Sequence, residues 1–234
     1  MSVPPVPEEH TVIQIDIIHV KPKYMMQYLL SIPKALELSQ KMGTKPLGAY
    51  LVEGGGAPEV VLLMEWPSLD ARSKSLEEAI KSPEWIEFAK ERGKYVSSMD
   101  TSLNHHVPMF PRNKPDANQK LILDRFSVNG FLPFAVMKLR ELVDMWNTKD
   151  PENSVSPCGV LATMAGNTKL TAIFPVKNNS YDALYKSFFG KVMHDPGNWG
   201  KLSEVTDKLN LTSTRHLTPI RPENLPKAED CKLS

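Results

Sequence analysis

Apolar and polar residues alternate from Val12 to Val20, where Ile13, Ile15 and Ile17 interleave with Gln14, Asp16 and Ile18. This period of two predicts a strand. The spacing then becomes helical. Pro22 can open a helix, since the first turn does not need its missing N–H, and Met25, Tyr28, Leu29, Ile32 and Leu36 supply an apolar stripe. Pro33 predicts a kink in that helix and Gly43 its C-terminal stop. Leu47–Glu53 and Val60–Trp66 read as strands joined by a turn at Gly54-Gly55-Gly56. Ser68 is the expected N-cap of a helix from Leu69 to about Ile80, and Ser82-Pro83 start another that buries Trp85, Phe88 and Ala89. A last strand is expected from about Thr101 to Val107.

The same order then recurs. Thr101-Ser102-Leu103-Asn104-His105-His106-Val107-Pro108 reads on Thr212-Ser213-Thr214-Arg215-His216-Leu217-Thr218-Pro219, 111 residues later. Pro46-Leu47-Gly48 reads on Pro157-Cys158-Gly159, Asp70-Ala71 on Asp182-Ala183, and Ile15-Asp16 on Leu123-Asp124. Leu132, Val136, Leu139, Val143 and Trp146 form the second long helical stripe, and Asp195-Pro196 repeats the cap-then-proline device before Trp199. Internal repetition on this scale sets the fold. Each copy reads βαββαβ, the ferredoxin-like motif. The expected class is α+β, two ferredoxin-like repeats in an intramolecular pseudo-dimeric α/β barrel, each sheet covering the bare face of its twin. The expected boundaries are 11–108 for the first repeat, 109–119 for a Pro-rich linker, 120–220 for the second repeat and 221–234 for a loose polar tail.

The run Val60-Val61-Leu62-Leu63-Met64-Glu65-Trp66-Pro67-Ser68-Leu69-Asp70-Ala71-Arg72 resembles the NIPSNAP family, as do Ser82-Pro83-Glu84-Trp85, Met99 before the Pro-terminated last strand, and His19-Val20-Lys21-Pro22. The resemblance spans about residues 11 to 220 and is more specific in the first copy. It implies the dimeric α/β-barrel fold, often in tandem. It also implies two unlike roles: animal members of the family resemble adaptors of mitochondria and vesicles, while relatives with the same barrel include cofactor-free oxygenases, polyketide cyclases and haem enzymes. The family's third strand carries a His and a Trp where this chain has Leu62 and Met64, so a site built on that His does not carry over. Arg72 matches the family's Arg on the following helix.

Composition removes several classes. With 28 basic and 27 acidic residues the net charge is +1, which is no footprint for nucleic acid. No apolar run is long enough to span a membrane. Two cysteines, Cys158 and Cys231, form neither a disulfide framework nor a zinc pattern. The Pro-rich, acidic start has no signal core or presequence pattern, so a cytoplasmic location is expected. The ending Cys231-Lys232-Leu233-Ser234 fits a prenylation box; a prenyl group on Cys231 would add weak membrane association.

Asp16 and Asp124 hold equivalent central positions in the two first strands, where burial would raise their pKa values and suit them to proton transfer. The last strand is expected beside the first, bringing His105 near Asp16 and His216 near Asp124. Such dyads could move protons on an enolisable or phenolic substrate with no cofactor, with Arg72 stabilising an anion. The plain alternative is a buried, hydrogen-bonded Asp that sets strand register. His105 and His106 are neighbours on one strand and point to opposite faces, so no metal is expected there. Tyr28, Met64, Trp66, Trp85 and Trp199 are candidates to line a pocket for an apolar or aromatic small molecule, and equally candidates for plain core. Gly54-Gly55-Gly56 lacks the phosphate-loop ending and reads as a hairpin turn; Cys158 reads as buried filler. The sequence therefore leaves two functions open. One is a cofactor-free cyclase, isomerase or oxygenase, or simple binder, for an apolar or aromatic compound. The other is a non-catalytic adaptor. The duplication either satisfies the sheet interface internally or leaves room for a homodimer.

Overall fold

The computed structural model describes residues 11–54, 56–110, 112–113, 116, 118–153, 155–164, 168–221, 223 and 225. The proposed lipidation site at Cys231 lies outside them. The first repeat contains β1 (Val12–Val20), α1 (Met25–Lys41), β2 (Lys45–Glu53), β3 (Glu59–Trp66), α2 (Leu69–Ala79), α3 (Pro83–Gly93) and β4 (Val96–His106). The second contains β5 (Leu121–Val128), α4 (Leu132–Lys149), β6 (Gly159–Thr163), β7 (Lys169–Pro175), α5 (Tyr181–Ser187), α6 (Trp199–Lys208) and β8 (Leu209–Pro219). The α+β class is the expected one: two ferredoxin-like repeats in tandem. One compact unit runs to His105 and regains the chain at Thr218; the other is His106–Leu217.

In the first unit β1 pairs antiparallel with both β3 and β4, and β2 lies outside β3. All nine residues of β1 except His19 are buried, so both its faces are covered. Ile18 and Val20 pack with Tyr28, Leu29 and Ile32 of α1 and with Val60 and Leu62 of β3. Local signals set the helix ends. The Ser68 hydroxyl accepts from the Ala71 N–H at 3.0 Å, and the Ser82 hydroxyl accepts from the Trp85 N–H at 3.3 Å. Pro22 starts a 3-10 turn rather than α1 itself, and α1 continues through Pro33 as one helix. Gly43 stops it at φ +84°, a left-handed value that favours glycine.

The second unit repeats this plan: β5 lies between β7 and β8, with β6 outside β7. Its core gathers Ile122, Val136, Leu139, Val143, Phe174, Val176, Leu184 and Val205. Cys158 is buried, and burial pushes its thiol up to about 12, as expected of filler rather than a nucleophile.

Strand register revises one part of the sequence comparison. Asp16 pairs across β4 with Thr101, and Asp124 pairs across β8 with Thr214. The structural offset of the last strands is thus 113 residues, two more than the sequence match at Thr101 and Thr212. A bulge in β8 leaves Thr212 unpaired between Leu211 and Ser213. A shift of two preserves side-chain faces but moves each residue along its strand. His216 therefore occupies the place of Leu103, and His105 that of Thr218.

Candidate functional site

The helix-facing side of the first sheet carries Gln14, Asp16 and Ile18 from β1, each two residues from the next. Across β3 their register partners are Met64, Leu62 and Val60. α1, α2 and α3 lie over this face but do not fill it. A cavity of about 390 Å³ remains, with Tyr28 and Leu36 from α1, Arg72 and Leu76 from α2, and Trp85, Phe88 and Arg92 from α3 on its walls. The volume falls in the range of small-molecule sites, roughly 300–1,000 Å³. Leu76, Ala89 and Met99 are exposed, Met99 at 60%, so the cavity opens beside α2, α3 and β4.

The walls are mainly apolar and the polar groups converge on one floor. Asp16 is 4% exposed. Its Oδ1 accepts from Thr101 Oγ1 at 2.7 Å and from Gln14 Nε2 at 3.0 Å; its Oδ2 accepts from Gln14 Nε2 at 2.8 Å. Gln14 is oriented from its other end. Its Oε1 accepts from Arg72 Nε at 2.8 Å and from Trp66 Nε1 at 3.1 Å. These bonds also settle the amide's orientation, since the oxygen must face two donors and the nitrogen the carboxylate. Burial pushes the Asp16 carboxyl above the usual carboxylate range, while Thr101, Gln14, Arg72 and Arg92 pull it back. Beside it, Tyr28 is fully buried, with its phenol raised to about 12 by burial. The Arg92 guanidinium lies over the Tyr28 ring, 4.4 Å from its centroid, and donates to the Tyr28 hydroxyl.

Tyr28, Met64, Trp66 and Trp85, named from sequence as pocket candidates, all line this cavity, as does Arg72. Trp199 does not. It belongs to the second repeat, is 61% exposed, and its indole N–H donates to the Met193 carbonyl. The Asp16–His105 dyad is not formed: His105 lies opposite Val12, four residues along β1 from Asp16, about 13 Å of extended chain. Thr101 takes the place expected for the histidine.

In the second repeat His216 is opposite Ile122, two residues from the partner of Asp124. Its Nε2 is hydrogen-bonded to the Tyr185 hydroxyl, and its ring stacks on Tyr181 with centroids 4.7 Å apart. Its bonded partner is thus Tyr185. Asp124 receives a hydrogen bond from Thr214 and keeps Oδ1 buried without a partner; burial raises its carboxyl to about 6.

Gln14, Thr101 and Arg92 were not singled out by the sequence reading. Two signals were available. Gln14 shares the face of Asp16 at a spacing of two. Trp85, Phe88, Ala89 and Arg92 share one helical stripe at i, i+3, i+4 and i+7. Thr101 had no signal without the register. Among the described residues no cluster of three or more His, Cys, Asp or Glu offers a metal site, and no helix is long and apolar enough to cross a membrane.

The model of the NIPSNAP family matches residues 14–111, within which most of the first repeat falls. The match covers β1 to β4 and hence every residue of the cavity floor. Leu62 and Met64 lie on the cavity wall. None of the curated proteins matches the sequence. Among solved structures the chain is similar to a protein provisionally named a monooxygenase from Lactobacillus acidophilus, with 12% identity, 91% of this chain and 95% of that chain covered, and a TM-score of 0.57. A protein of the same provisional name from Fusobacterium nucleatum gives 9% identity, 91% and 93% coverage, and a TM-score of 0.58. An anthrone oxidase-like protein gives 10% identity, 93% and 94% coverage, and a TM-score of 0.53. At these identities the likeness is one of fold, and it spans both repeats.

Proposed function

We propose that the first repeat binds an apolar or aromatic small molecule in the cavity under α1–α3 and that Asp16 removes a proton from it without a cofactor. The observation that carries this reading is a buried carboxylate on the floor of an open cavity whose walls are mainly apolar. Asp16 is held in place by Gln14 and Thr101, yet Oδ2 receives a single donor and keeps a lone pair for a substrate proton. Desolvation makes that carboxylate a stronger base than one in water, and the three hydrogen bonds keep it oriented. Arg72 acts through Gln14 as a positioning residue. Proton transfer to Asp16 would leave a carbanion or phenolate on the substrate, which can isomerise, cyclise or be oxidised by dioxygen. Two neighbours of the same fold carry oxygenase names and one an anthrone oxidase-like name. Anthrone is an apt probe because its central CH2 is acidic and its body is flat and apolar.

The test is hydrogen–deuterium exchange at that CH2 in D2O under nitrogen, followed by NMR, with wild-type protein and Asp16→Asn. The expected result is catalysed exchange that falls about 100-fold or more in the variant. Binding of anthrone with no catalysed exchange would reduce the site to a binder. Absence of both would remove the reading.

A further inference from the structure

The cavity holds more positive than negative charge. Its charged lining residues are Asp16, Arg72 and Arg92, one carboxylate against two guanidinium groups. No ion pair joins either arginine to a carboxylate among the described residues. The donors that satisfy Asp16 are instead Gln14 and Thr101. Arg72 commits Nε to Gln14 and Arg92 commits one terminal nitrogen to Tyr28, which leaves most of the five N–H donors on each guanidinium unspent. Arg92 Nε is buried with no hydrogen-bond partner. Arg92 is half-buried, and burial pushes its guanidinium below its ordinary pKa while Tyr28 and Asp16 oppose that shift. A partly desolvated cation with a buried, unpartnered N–H is costly to a fold. It persists where a partner from outside completes it.

We propose that the cavity's ligand is an amphipathic acid: an apolar or aromatic body carrying one carboxylate, with the carboxylate seated on the Arg92–Tyr28 pair and assisted by Arg72. This rests on the reading that the cavity binds an apolar or aromatic small molecule, and it adds the ligand's charge. The geometry suits the task. The Arg92 guanidinium carbon lies 4.4 Å from the Tyr28 ring centroid and 5.8 Å from that of Phe88, so two rings and the bond to the Tyr28 hydroxyl position its fork. A guanidinium fork matches a carboxylate with two parallel hydrogen bonds. The Tyr28 hydroxyl accepts from Arg92, so its own proton is available to the same ligand oxygen. Trp85, Phe88, Leu36 and Leu76 receive the apolar body. The bound anion also brings the charge count of the cavity to zero.

The experiment compares 2-naphthoate with its neutral counterpart 2-naphthamide on the full chain, by calorimetry and by the fluorescence of the cavity tryptophans. The expected result is that naphthoate binds about tenfold or more tightly. Arg92→Gln should erase that preference while naphthamide affinity stays within about threefold, and Arg92→Lys should restore part of it. Asp16→Asn should preserve or enlarge it, because the opposing negative charge is gone. Equal affinities in the wild type, or a preference that survives Arg92→Gln, would overturn the assignment. The wild-type comparison stands even if Arg92→Gln fails to fold. The two proposals fail separately: naphthamide binding as well as naphthoate sinks only the acid, whereas loss of exchange with retained naphthoate preference sinks only the base. Binding of neither naphthalene overturns both.

Discussion

The two repeats share a strand order, a carboxylate facing a threonine at the centre of the first strand, and a serine cap on the helix that follows the third strand. They differ in what surrounds the carboxylate. In the first repeat Gln14, Trp66 and Arg72 converge on Asp16 beneath an open cavity. In the second, the corresponding positions are Ile122, Val176 and Leu184, and all three lie in the apolar core. Strand register gives the first correspondence. The Val176 N–H bond to the Lys120 carbonyl gives the second, matching Trp66 opposite Val12, and the four-residue spacing from the Ser68 and Ser180 caps gives the third. One copy of the duplicated unit thus keeps a polar floor and the other keeps a packed centre around a lone Asp124. A duplicated fold lets stability and chemistry be placed in different copies, since neither copy must supply both.

The largest expected effect comes from the packed side. Leu139 is 1% exposed in the second core, and Leu139→Ala should destabilise the protein by about 2–5 kcal/mol in urea unfolding. A loss below about 1 kcal/mol would mean that the second repeat is as loosely packed as the first. Exchanging a floor residue for its counterpart sharpens the contrast. Gln14→Ile removes the acceptor of Arg72 and Trp66 and two donor contacts to Asp16, so it should cost about 1–3 kcal/mol and raise the Asp16 carboxyl further. Carboxyl-carbon NMR titration reads the second effect; an unchanged titration would show that Gln14 does not hold the site.

Asp124 gives a smaller, pH-dependent effect. Its folded carboxyl titrates near 6 against an ordinary value of 3.8. The folded chain therefore binds more protons than the unfolded chain between those values, and this group's contribution to stability falls as pH rises through that window. Asp124→Asn should stabilise the protein by on the order of 1–2 kcal/mol at pH 7 and by nothing measurable at pH 3. Equal effects at both pH values would contradict the buried charge. The smallest effect belongs to the cavity mouth: Leu76, 41% exposed on α2, should change stability by about 0.5 kcal/mol or less on Leu76→Ala. A larger loss would mean that the mouth is packed shut in solution.

Much of the fold could be read along the chain because its signals are local. The alternation around Asp16, the Ser68 and Ser82 caps and the left-handed Gly43 each depend on a few neighbours. The candidate site was half legible for the same reason. Asp16 stands out as a charge in an apolar strand, and Tyr28, Trp66 and Trp85 as large rings on buried faces. The histidine pairing was not legible, because it depends on strand register: His105 meets Val12 and His216 meets Ile122, and neither meets an Asp.

By itself, then, the sequence determined the tandem βαββαβ plan, the Ser68 and Ser82 helix caps and the placing of one acid in each first strand, since periodicity, capping and repetition act over short stretches of chain. The tertiary structure alone decided that Thr101 rather than His105 meets Asp16, that Gln14 and Arg72 are linked to it, and that Arg92 lies half-buried beside Tyr28 with its Nε unpartnered. Those contacts join residues up to 85 positions apart, and register and helix docking, which set them, are properties of the folded chain rather than of any segment in it.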